Sequence, residues 1–185
     1  MSRAALRAAL TLATIGCLAG CRETPASSLA VSSKAFPDGG QIPVVYTCDG
    51  LNMSLPLAWG SPPAGTVSVA VIVDDPDARG FAHWVLFNVA GWKRALPEGV
   101  GTGTPQPEGG ARGLGDGGLD YFGPCPPPGD PPHRYSFRVY ALDAWMPLAE
   151  GATRDDLVTA MKGHVLAQGE LTGLYARQGA AAQGD

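Results

Sequence analysis

Three carboxylates fall within four residues at Asp74, Asp75 and Asp77, and His83 follows in the stretch DDPDARGFAHWV. A second stretch, GPCPPPGDPPHRY, ends in His133 and Tyr135 behind a run of prolines. Carboxylate, imidazole and phenol together suit a metal site, general acid–base catalysis, or a pocket that grips an anion. A calcium loop would need Asp or Asn at its fifth position and Glu at its twelfth. Counted from Asp75 those positions are Arg79 and Leu86, so the pattern fails. Asp75, His83 and His133 have none of the HxxH or CxxC spacing of zinc sites, and no metal or other cofactor is expected. No G-x-S-x-G elbow is present, and WGSPPAG is stiffened by prolines. Cys125 sits in a proline-built turn with no helix N-terminus to activate it. No catalytic residue is assigned, and the protein is expected not to be an enzyme. The pocket suits the residues better: two imidazoles, a phenol and backbone N–H groups can donate to an oxyanion, with carboxylates behind orienting the imidazoles and favouring their charged form. The plain alternative is that Asp75 and Asp77 only shape an Asp-Pro-Asp turn and both histidines are structural. Spacing alone leaves the two level.

The elements that must position these residues read mostly as strands. In TVSVAVIVDD, Val67, Val69, Val71 and Val73 share one face, which Asp75 continues if the strand stays regular. HWVLFNVA is apolar on both faces, and parity puts His83 with Val85, Phe87 and Val89. HRYSFRVYALD places His133 and Tyr135 in one row with Phe137, Val139 and Ala141. LAVSSKAF is a weaker strand, and GELTGLYAR a final one. Thr153-Arg154-Asp155-Asp156 resembles a capping box, and Leu157, Val158 and Met161 follow at helical spacing. That helix is expected to run through His164 and Val165 until Gly169 stops it, with His164 in helix-end packing or at the surface. Residues 98–120 are glycine-rich and irregular, as functional loops are. The expected class is a β-dominated single domain with a helix near the C-terminus.

The chain has 185 residues, of which 45% are hydrophobic and 16% charged, with a net charge of −4. Length argues for one domain, and the charge against a nucleic-acid surface. Arg3 and Arg7 precede an apolar run over 8–17, too short to span a bilayer, and then Leu18-Ala19-Gly20-Cys21. This reads as a bacterial lipobox, so residues 1–20 are a lipoprotein signal peptide and Cys21 is the lipidated residue. Residues 21–28 form the lipid-attached linker, 29–177 the domain and 178–185 a flexible tail. Without Arg3 and Arg7, 11 basic residues face 17 acidic ones, a net of −6 for the mature chain. Arg22, in place of an aspartate after the cysteine, points to the periplasmic face of the outer membrane. Cys17 leaves with the signal and Cys21 carries lipid. Cys48 and Cys125 remain, either as a disulfide in an oxidising compartment or as two buried thiols.

Taken in order, YTCDGLNMSLPLAW, DDPDA, HWVLFNV, GPCPPPGDPPHRYSFRVYALD and GHVLAQGELTGLYAR resemble the phosphatidylethanolamine-binding protein family, especially its bacterial Raf-kinase-inhibitor-like branch. The likeness covers residues 29–177. It implies two packed, mainly antiparallel sheets with one or two peripheral helices, and a small anion-binding cavity at one end. Asp75 and Asp77 match the family's first aspartates, His83 the histidine opening the next strand, and His133 and Tyr135 its His-x-Tyr, with Pro126 and Pro127 at the rim. Arg79 stands where the family usually has proline, and its guanidinium could join the rim. Leu55 likewise replaces a frequent proline. The function implied is a lipid-anchored periplasmic protein binding a small anionic or phosphorylated ligand, such as phosphate or a phospholipid head group, with the membrane held through Cys21. The alternative is a protein-interaction module, such as a protease or kinase inhibitor, acting through the cavity rim and the 98–120 loop. The sequence names no protein partner.

Overall fold

The computed structural model describes residues 26–101 and 110–178. The residues read as signal peptide, Cys21 with most of the expected linker, the centre of the 98–120 stretch and the residues from 179 lie outside the described residues. The strands are β1 (Ser27–Ser28), β2 (Val31–Ser32), β3 (Gly40–Gln41), β4 (Leu57–Trp59), β5 (Ser68–Asp75), β6 (Phe81–Ala90), β7 (Ala95–Leu96), β8 (Ala111–Arg112), β9 (His133–Leu142) and β10 (Val165–Tyr175). One helix, α1 (Arg154–Ala160), precedes β10. The larger sheet runs β1-β10-β9-β5-β6-β8, with β3 also on β10; the smaller is β2-β4-β7. β1 and β3 lie parallel to β10, and the remaining pairs are antiparallel.

Every residue of β5 is buried, because both faces of the larger sheet are covered. Val69, Val71 and Val73 pack with Phe137, Val139, Leu57 and Trp59 between the sheets. Ala70 and Ile72 face the other way, against Val85, Phe87, Leu142, Leu157 and Met161 beneath α1. This explains why β5 and β6 read as apolar on both faces. Val67 falls outside the strand and is exposed.

The capping box forms: the Thr153 hydroxyl accepts from the Asp156 amide, and the Asp156 carboxylate accepts from the Thr153 amide at 3.0 Å. The helix is shorter than its pattern suggested. The chain turns at Gly163, which has φ +80°, and Val165 already opens β10. Gly169 is no helix stop but a mid-strand residue, where a Cβ would run into the Leu29 carbonyl. LAVSSKAF yields only the two-residue β2, with the equally short β1 just before it. Part of the irregular 98–120 stretch is folded after all, since Ala111 and Arg112 pair with Phe87 and Leu86.

Candidate functional site

Asp75 ends β5, His83 lies near the start of β6, and His133 opens β9, all at one end of the larger sheet. The parity expected for His83 is not what brings it there. Val73 pairs with Trp84 but Asp74 pairs with Ala82, so His83 is an extra residue in a β-bulge. A second irregularity at Asn88, which has φ 56°, moves Val89 onto the face of Leu86, away from Val85 and Phe87. The row His83, Val85, Phe87, Val89 is therefore broken at both ends. The first bulge re-aims the imidazole toward the face of Tyr135, whose ring it meets edge-on at 5.2 Å.

His83 is buried, and its Nδ1 lies 2.8 Å from the Phe122 carbonyl. A carbonyl only accepts, so Nδ1 carries the proton, and in the neutral ring Nε2 keeps its lone pair. Burial pushes the pKa of His83 down, against smaller opposing effects from the Phe122 carbonyl and the Asp75 charge. The Phe122 ring stacks on the imidazole at 5.8 Å, and the Phe81 ring lies 4.8 Å away, so two phenyl rings wall the site. The segment carrying Phe122 is fixed from outside. The Gly123 amide donates to Asn52 at 2.7 Å, the Cys48 amide to the Pro124 carbonyl, and Cys48 is disulfide-bonded to Cys125. Gly123 is required there, since a Cβ would come within 2.5 Å of the Tyr46 carbonyl.

Asp75 serves two other partners. Its Oδ1 caps the 3-10 turn Pro76–Ala78 by accepting from the amides of Asp77 and Ala78 at 2.8 and 3.0 Å. Its Oδ2 accepts from Nδ1 of half-buried His133 at 2.7 Å. Asp77 hydrogen-bonds neither histidine and grips Arg134, accepting from its amide at 2.8 Å and from its guanidinium at 2.7 and 3.1 Å. Those bonds hold its carboxyl down at about 2. The carboxylates thus do not stand behind His83, as the spacing had suggested; the Phe122 carbonyl does, and the imidazole that Asp75 orients is that of His133.

The Tyr135 hydroxyl is fully buried and makes no hydrogen bond of good geometry, with the Asp75 carboxylate and the Cys125 backbone close by. Burial first, and then the Asp75 charge, push its pKa up, so it stays a protonated donor. Pro126 is buried and Pro127 exposed in the turn before β9. An open depression of about 540 Å³ lies alongside, lined by Asp77, Pro131, Pro132, His133, Arg134 and Leu174. It reaches His133 but is not lined by His83 or Tyr135.

Arg79 is exposed, with φ 57°, and among the described residues its guanidinium pairs with no carboxylate. Leu55 is buried in the core between the sheets, away from any rim. Sequence reasoning missed Phe81, Phe122 and Arg134. Phe81 had a signal, lying two residues before His83; the Phe122 carbonyl, as a backbone group, had none.

Residues 32–176 match the sequence model described as phosphatidylethanolamine-binding protein. A UPF0098 protein of Methanothermobacter thermautotrophicus is 47% identical over 150 residues, covering 80% of this chain and 98% of that protein. The lipoprotein-named LppC of Mycobacterium tuberculosis is 37% identical over 153 residues, 81% of this chain and 73% of that one. The crystal structure of E. coli YbcL, described as a member of the mammalian PEBP family, superposes with a TM-score of 0.76 at 32% identity, covering 82% of this chain and all of that one. The chain belongs to the phosphatidylethanolamine-binding protein family. Its two-sheet sandwich with a helix near the C-terminus is the fold of these neighbours. Proline is confined near φ −65°, so a proline could not take the left-handed conformation that Arg79 adopts after the 3-10 turn.

Proposed function

We propose that the protein is a lipid-anchored, extracytoplasmic member of the family that binds a small anionic or phosphorylated ligand, such as phosphate or a phospholipid head group, without turning it over. The observation that carries this reading is the buried Tyr135 hydroxyl, without a hydrogen bond of good geometry, beside the His83 ring, with His133 close by on Asp75. A buried donor without an acceptor costs free energy, and a ligand oxygen would relieve it. His133, held by Asp75 through Nδ1, has Nε2 left to donate when protonated; its nearest carboxylate there, Asp130, is 3.9 Å away, too far for a hydrogen bond. An anion beside His83 would also raise the depressed pKa of that imidazole and draw a proton onto it. Binding should therefore tighten as pH falls below neutral.

The anchor is supported by the Leu18-Ala19-Gly20-Cys21 motif behind Arg3 and Arg7, and by the relative that bears a lipoprotein name. Arg22 favours the periplasmic face of the outer membrane. Calorimetric titration of the mature protein with phosphate and with phosphoethanolamine tests the ligand. Measurable heat is expected in the wild type and its loss in His83→Ala and His133→Ala. No heat from either compound in the wild type would refute the reading.

A further inference from the structure

The end of the sandwich opposite the anion site carries two exposed tryptophans. Trp92, 63% exposed, lies two residues beyond β6, and Trp145, 49% exposed, three residues beyond β9. Ala90 and Leu142 both pair with Ser68 at the start of β5, so the two tryptophans follow strand ends on the same edge of the sheet. Val67, 38% exposed, lies between them, bonded to the amide of Gly91 and to the carbonyl of Leu142. The other two tryptophans, Trp59 and Trp84, are in the core.

The same end receives the chain from its N-terminus. β1 runs parallel to β10, with Ser27 opposite Ala167 and the Ser27 hydroxyl on the Leu166 carbonyl. β1 therefore begins, at Ser27, near the Val165 and Leu142 pair that ends β9, three residues before Trp145. Trp92 follows β6, four strands across from β1, a span of roughly 19 Å at about 4.8 Å per strand. The charges here differ from those of the whole molecule. In the turns 60–67, 91–94, 143–147 and 161–164 the charged residues are Lys93, Arg94, Lys162 and Asp143, with His164 paired to Asp143. Lys93 Nζ lies 4.8 Å from the centroid of the Trp92 ring. A cationic end with exposed indoles, on a chain that is otherwise acidic, suits an anionic lipid surface, where Trp sits at the headgroup level and Lys and Arg meet phosphates.

We infer that this end, through Trp92, Trp145, Lys93 and Lys162, docks on the bilayer that holds the lipid of Cys21, and so turns the anion site away from that membrane. The inference rests on the lipid-anchored reading. Five residues lie between Cys21 and Ser27, six steps with a reach of at most about 20 Å, and β5 alone, from Ser68 to Asp75, is about 23 Å long at roughly 3.3 Å per residue. A tether of that length alone would let the domain lie on its side with the site at the lipid. The tryptophan end removes that freedom. The pocket then samples solutes and lipids presented from the periplasmic side, not headgroups of its own bilayer.

The test uses the full mature protein reconstituted in vesicles of phosphatidylethanolamine and phosphatidylglycerol that contain a lipid brominated on its acyl chains, a short-range quencher of indole fluorescence. Wild type is expected to be quenched. Trp92→Phe and Trp145→Phe should each keep part of the quenching, and the double variant should lose it, since only Trp59 and Trp84 remain. Intact mass separates the two layers of the argument. An acylated protein that is not quenched, or a double variant quenched like wild type, would overturn the docking alone. Absent quenching with a dimer in detergent would assign the tryptophans to a second copy and overturn it too. A mass without acyl chains would overturn the anchor, and the docking with it.

Discussion

Replacing Asp75 tests whether one carboxylate organises the corner of the site. It is buried and accepts three hydrogen bonds, two from the turn amides and one from His133 Nδ1. Asp75→Ala removes the cap of the 3-10 turn, worth about 1 kcal/mol. It also removes a bond to a charged acceptor, worth about 1.5–3 kcal/mol. The turn residues Pro76, Asp77 and Ala78 are exposed, so water can reach their freed amides, and the two losses together come to about 2–4 kcal/mol. At roughly 2–4 °C per kcal/mol for a domain of this size, the melting temperature should drop by about 5–15 °C. Asp75→Asn separates the two contributions. Its carbonyl oxygen can keep the cap, while its NH2 group meets His133 Nδ1 and forces that nitrogen to accept. The Asn variant should therefore lose about half as much stability as the Ala variant and move the His133 proton from Nδ1 to Nε2. Denaturant unfolding gives the first quantity and imidazole nitrogen shifts by NMR the second. An Ala variant within about 0.5 kcal/mol of wild type, the range of a neutral surface change, with the His133 tautomer unchanged, would refute this account of the corner.

Other perturbations have equally definite outcomes. The Cys48–Cys125 bond spans a sequence separation of 77 residues, for which loop-closure entropy gives about 4.5 kcal/mol; the double Cys→Ala variant should unfold at markedly lower denaturant, and an unchanged midpoint would contradict it. The folded-state pKa of His83 is depressed, so the unfolded chain binds its proton first, and stability should fall as pH drops through about 6.5. His83→Gln should flatten that part of a stability–pH profile. Asp77 is also depressed, to about 2, so its contribution is present above the ordinary carboxylate range and is lost on acidification toward that value; Asp77→Asn should remove this acid-limb loss in the same profile. Arg79→Pro asks a residue at φ 57° to take φ near −65° and should cost roughly 3 kcal/mol or more, read by thermal unfolding; a neutral result would show that the turn relaxes freely.

The long strands β5, β6, β9 and β10 were legible because β-branched and aromatic runs identify them, while the two- and three-residue strands carry too few residues to show a pattern; the site's residue types were legible because Asp-Pro-Asp and His-Arg-Tyr bracket two strand ends. What could not be read was which group holds which. Parity counting needs one residue per pleat, yet β6 carries extra residues at His83 and Asn88. In a strand with one solvated face such a slip would bring a polar residue into the core row and show itself. β6 is covered on both sides, and Trp84 and Val85 suit either face, so the pattern is silent about the bulge. The carboxylates pose the same problem from the other side. Asp74, Asp75 and Asp77 are chemically alike, and three environments divide them. Asp74 turns to the helix side and pairs with Arg138 at 2.9 Å, where burial still pushes its pKa up. Asp75 caps the turn and orients His133, and Asp77 is taken by Arg134. With all three hydrogen-bonded elsewhere, none pairs directly with His83; the Asp75 charge favours its protonated form less than burial disfavours it, and the pKa of that imidazole is pushed down. An acidic stretch can thus border an anion site without repelling its ligand, because two of its charges are matched by arginines and the third is bonded to the imidazole of His133.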